Sequence, residues 1–165
     1  MVETHVSLSV NRLLNEDTYA IPLYQRNFAW TYDEIEQLLN DVADAFQENR
    51  DNYNYYIGTL VVNKENDLFK IIDGQQRTTA LNLIALALKH EFGFDRLKAV
   101  KLTFPARKKS NKNIQDLFAK KKILEGDENE LTRGYGHARD ALKKVLEERQ
   151  LNPQSFVDYL FEKVI

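Results

Sequence analysis

Residues 71–88 read IIDGQQRTTALNLIALAL, a stretch that cannot be left on a protein surface. Positions 79–88 are apolar almost all round and offer no polar stripe to solvent, so a helix there must be enclosed on every side. Residues 68–72 read as the end of a buried strand feeding directly into that helix. The polar segment Asp73-Gly74-Gln75-Gln76-Arg77 is therefore pinned between two buried elements, and the rest of the chain has to fold around it.

Ordinary helix chemistry explains half of this turn. Asp73 has the character of an N-cap, and Gln76, three residues on, could reach back as in a capping box. Gly74 and Arg77 do not fit that pattern. Glycine weakens a first helical turn, and a cation there opposes the positive end of the helix dipole. Both become favourable if an anion docks at the helix N-terminus: Gly74 lets it approach the backbone N–H groups, and Arg77 closes a charge-assisted fork on it. Phosphate is the anion this pattern suits best. The alternative is an ordinary capped core helix.

The chain contains no cysteine, which removes disulfides, thiolate zinc sites and cysteine catalysis together. Its N-terminal residues, MVETHVSLSVNRLLNED, hold no long apolar run, so neither a signal peptide nor a membrane span is expected, and the cytoplasm is the expected location. At 165 residues and 43% hydrophobic, the chain can bury one sizeable core. Charge is unevenly spread. Residues 1–54 hold ten acids against three Arg or Lys, whereas residues 96–122 hold ten Arg or Lys against Asp116 alone. The basic segment carries Arg107, Lys108, Lys109, Lys112, Lys120, Lys121 and Lys122 with Phe104 and Phe118 interleaved, a pattern compatible with nucleic-acid contact and equally with a solvated helix face.

In chain order, residues 7–14 read as a short helix and 19–21 as a brief strand stopped by Pro22. Thr31, Glu34, Trp30 and Ile35 form a cap-and-staple signature that opens an amphipathic helix. Residues 55–62 and 68–72 read as a hairpin, and 98–104 as a strand closed by Pro105. Residues 111–122, 130–149 and 153–163 are helical by pattern, and the closing Lys163-Val164-Ile165 looks like the start of a strand. The expected class is α+β, a small mixed sheet with packed helices in residues 1–105 and a mainly helical extension in 106–165. The abrupt end suggests truncation from a longer protein.

Two segments, IPLYQRNFAW at 21–30 and IIDGQQRTTAL at 71–81, with YYIGTLVV between them, resemble the N-terminal domain of GmrSD-type, modification-dependent (type IV) restriction enzymes. Phe28 stands where that family usually has Tyr. The resemblance implies a ParB/sulfiredoxin-like fold and binding and hydrolysis of a nucleoside triphosphate with Mg²⁺, serving phage defence through cleavage of modified DNA. It also implies a nuclease domain or partner subunit. Carried over by position, Gln25, Arg26, Asp73, Gly74, Gln75, Gln76, Arg77 and Thr78 would bind the nucleotide, with Asp73, Gln76 and Arg77 catalytic. Metal ligation by the protein alone is not expected, because His5, His90 and His137 are scattered and lack ligand spacing. A DNA-binding or regulatory module that binds nucleotide without turnover is the competing reading.

Overall fold

The computed structural model describes residues 6–48, 54–120, 126 and 128–165. Their elements run α1 (Val10–Asn15), β1 (Thr18–Ala20), α2 (Tyr32–Glu48), β2 (Val61–Glu65), β3 (Leu68–Asp73), α3 (Gln75–Glu91), β4 (Leu102–Thr103), α4 (Lys108–Phe118), α5 (Glu130–Glu148) and α6 (Pro153–Glu162). The sheet order is β2-β3-β1-β4, with β2 antiparallel to β3 and the other two pairs parallel. This is the expected α+β class with a mixed sheet.

α3 is the interior of the molecule. Every residue of 78–88 is buried, whereas α2, also 17 residues long, buries only six and turns its acids outward. α5 packs against both α3 and α2, and α6 against α1 and α2, so the helices beyond residue 105 share one apolar core with the sheet. The cap signature at α2 forms as written: Glu34 Oε2 accepts from the Thr31 amide at 2.8 Å and its hydroxyl at 2.7 Å. These bonds, the hydroxyl's foremost, favour the carboxylate and hold Glu34 below the usual range.

Several boundaries differ from the sequence reading; α1 begins at Val10 rather than at residue 7. The hairpin's first strand begins at Val61, opposite Asp73 where β3 ends, and Gly58, at φ +138°, precedes it outside the ladder. Residues 55–57 instead pair with the chain's end: Tyr55 N–H donates to Lys163 O (2.8 Å), Ile165 N–H to Tyr55 O (2.8 Å) and Ile57 N–H to Ile165 O (2.9 Å). The strand expected over 98–104 shrinks to Leu102–Thr103, because three-residue β1 offers β4 only Tyr19 and Ala20 as partners. The helix expected at 111–122 is α4, which begins earlier, at Lys108.

The α3–α5 contact depends on Gly134. A Cβ there would lie 2.7 Å from both Leu83 Cδ1 and Phe28 Cε2. Gly134→Ala should therefore lower stability by about 1–3 kcal/mol from overpacking, reversing the ~1 kcal/mol gain that alanine usually brings to a helix. Thermal melts check this; a variant as stable as wild type would mean the contact has room to give.

Candidate functional site

The junction of β3 and α3 is built from glycine, not from a side-chain cap. Gly74 is the N-cap residue, at φ +101°, and among the described residues no side chain caps the helix start. The Asp73 cap with Gln76 reaching back is therefore not what forms: Asp73 is the exposed last residue of β3, one position too early to cap. An L-side chain at Gly74 would be strained and would also crowd Leu60 Cδ1 (3.0 Å) and Thr59 O (3.3 Å). Thr78 N–H is the first to return to the helix, donating to Gly74 O at 3.0 Å. The N–H groups of Gln75, Gln76 and Arg77 donate to no protein group among the described residues.

The three glutamines act as a clamp. Ala29 N–H donates to Gln76 Oε1 (2.7 Å), and Gln76 Nε2 donates to Asn27 O (3.0 Å), so both ends of this amide are committed to the loop after β1. Gln25 Nε2 donates to Ile72 O (3.0 Å), and Gln75 Nε2 donates to Gln25 Oε1 (3.2 Å). From the other side, Arg107 donates to Leu23 O at 3.0 Å and to Gln25 O. Phe28, 7% exposed, anchors the loop in the core. The two sequence segments are thus joined in one unit, with Arg26 exposed on a loop fastened to the first turn of α3.

Arg77 is half-buried, and among the described residues no hydrogen bond or ion pair holds its guanidinium. It lies instead against Gly58, where a Cβ would meet Nη1, Cζ and Nη2 at 2.6, 2.7 and 2.8 Å. Thr78 is buried, and its hydroxyl donates to Gly74 O (2.9 Å), stabilising the turn from inside.

The basic segment is less free than its composition suggests. Arg107 serves the loop, Lys109 donates to Gly126 O (3.1 Å), and Lys112 pairs with Asp116 (3.2 Å), while Lys108 and Lys120 are exposed. Lys121 and Lys122 lie outside the described residues. An open groove of about 470 Å³ between the first turns of α4 and α5 is lined by Asn27, Arg107, Lys108, Lys109 and Arg133, but also by Glu128 and Glu130. Among the described residues no cluster of three His, Cys, Asp or Glu could hold a metal ion, and no helix is long and apolar enough to cross a membrane.

Sequence reasoning missed Gly58 and the clamping role of Arg107. A glycine interrupting the β-rich run YYIGTLVV is a recognised mark of a bulge or a close approach, and could have flagged Gly58. Arg107 carried no such signal, being one cation among many.

Fold and site together define an α+β domain organised on an enclosed helix with an open, glycine-capped N-terminus. The chain belongs to the family described as GmrSD restriction endonuclease, N-terminal domain, whose model matches residues 10–164. It is therefore a domain of a restriction-system family. No curated protein matches it.

Proposed function

We propose that this domain binds a nucleoside triphosphate, together with Mg²⁺, at the N-terminus of α3 and hydrolyses it, in a protein of phage defence. The observation that carries the reading is the pairing of a glycine-capped helix start, whose first-turn N–H groups have no acceptor among the described residues, with a half-buried arginine that has no hydrogen-bond or ion-pair partner among them. A triphosphate suits both. Its oxygens satisfy the orphan donors and the helix dipole, and Arg77 supplies a fork matched to phosphate.

Within this reading Arg77 holds the terminal phosphate and stabilises charge as water adds to its phosphorus and the bridging P–O bond breaks. Gly74 provides access, and Gln25, Gln75 and Gln76 hold the loop that presents Arg26. The Asp73 carboxylate would repel a bare phosphate, so its place is toward the metal or toward the attacking water. Mg²⁺ arriving with the nucleotide would offset phosphate charge and polarise the phosphoryl group. Cleavage of modified DNA is assigned to a nuclease domain or partner subunit.

A thermal-shift series with ATP, GTP, CTP and UTP, with and without Mg²⁺, tests the binding step. A nucleotide at one hundred times its Kd adds about 2.7 kcal/mol to the folded state. At this chain length that raises Tm by roughly 5–10 °C. No response to any of the four would sink the reading, and binding without phosphate release would reduce it to a sensor.

A further inference from the structure

Two contacts of the segment 55–60 with the α3 turn run through glycine. At one, Gly74 sits under Leu60 and Thr59; at the other, Gly58 sits under Arg77. From the position a Cβ on Gly58 would take, the distances of 2.6 Å to Nη1, 2.7 Å to Cζ and 2.8 Å to Nη2 differ by only 0.2 Å. A guanidinium approached end-on would give a spread closer to the length of its C–N bonds, so the group turns its face to the space that a Gly58 side chain would fill. A planar cation stacked by its face keeps its in-plane N–H donors for a ligand. A carboxylate partner would do the opposite, occupying those donors while holding the side chain. Gly58 also needs to be glycine for its backbone, at φ +138°. The segment is itself held firmly by the bonds of Tyr55 and Ile57 to residues 163 and 165.

We propose that Gly58 is the positioning residue for Arg77: its bare backbone face is a shelf that immobilises the guanidinium without consuming its hydrogen bonds. The purpose of this shelf rests on the phosphate reading above; its geometry does not.

Measurements on the wild type and on a Gly58 variant test it. In the wild-type protein, NMR relaxation of the arginine Nε–Hε groups should find Arg77 ordered, with an order parameter near the rigid limit of about 0.85, and exposed Arg26 below about 0.6. Equal mobility of the two overturns the proposal, and this arm needs no variant to fold. In Gly58→Ala, with folding checked by circular dichroism, phenylglyoxal should label Arg77 several-fold faster while Arg26 labels at its wild-type rate. The Kd for inorganic tripolyphosphate, measured by calorimetry, should weaken by about tenfold, the loss of one well-placed charge-assisted bond. No further weakening should appear when Gly58→Ala is added to Arg77→Ala, since both act through the same group. Unchanged labelling of Arg77, or additive losses in the double variant, would overturn the assignment. If wild type ignores tripolyphosphate while Arg77 is rigid and is released by Gly58→Ala, the shelf stands and the nucleotide reading falls.

Discussion

Replacing Arg77 with alanine is expected to weaken nucleotide binding by about 100-fold or more while leaving the ligand-free fold intact. The binding loss follows from removing a bidentate, charge-assisted fork, each of whose hydrogen bonds is worth about 1.5–3 kcal/mol. Stability should barely change, because among the described residues the guanidinium makes no hydrogen bond or ion pair. A cation in the first helical turn is itself unfavourable by roughly 0.3–1 kcal/mol, so the variant could melt slightly above wild type. Arg77→Lys should recover only part of the response, since an ammonium keeps the charge and loses the fork. Calorimetry with the nucleotide that responds best, beside thermal melts without ligand, separates the two effects. A large fall in ligand-free Tm with the nucleotide response retained would make Arg77 a residue of the fold rather than of the site.

Phe28→Ala should show the reverse pattern, a heavy loss of stability that spreads to the site. Phe28 is 7% exposed and fits the space left by Gly134 on α5, so its truncation opens a cavity where three segments meet. Such changes cost about 3–5 kcal/mol. For a chain of this size Tm should fall by roughly 6–20 °C. Because Phe28 is the apolar anchor of the 23–29 loop, the loss should reach the neighbouring Ala29 amide, which donates to Gln76. Hydrogen exchange checks this directly: the Ala29 amide should lose protection ahead of the α3 core amides. A fall of less than about 1 kcal/mol with Ala29 still protected would mean the glutamine clamp alone holds the loop.

The two variants probe features that were unequally legible in the sequence. A nearly continuous apolar run marks α3 as enclosed, and Thr31 with Glu34 marks the start of α2, because both signals lie within a few helical turns. Gly74 departs from good helix chemistry on sequence grounds, although the sequence points to Asp73, not Gly74, as the cap. That error has a local cause: the β3 ladder runs to Asp73, opposite Val61, leaving the positive-φ turn to the glycine that follows.

By itself, then, the sequence determined the α+β class, the buried helix, and the two polar segments from which the site is made, since periodicity, capping and turn chemistry act between near neighbours. Only the tertiary structure decided what those segments do to one another. Gln76 bonds the loop 47 and 49 residues away, Arg107 reaches carbonyls 82 and 84 residues back, and Gly58 lies beneath Arg77. A glutamine amide or a guanidinium can bond any carbonyl within reach, so its type names no partner. The partner is selected when the packing of the core, around α3 and Phe28, sets which backbone groups lie within hydrogen-bond distance.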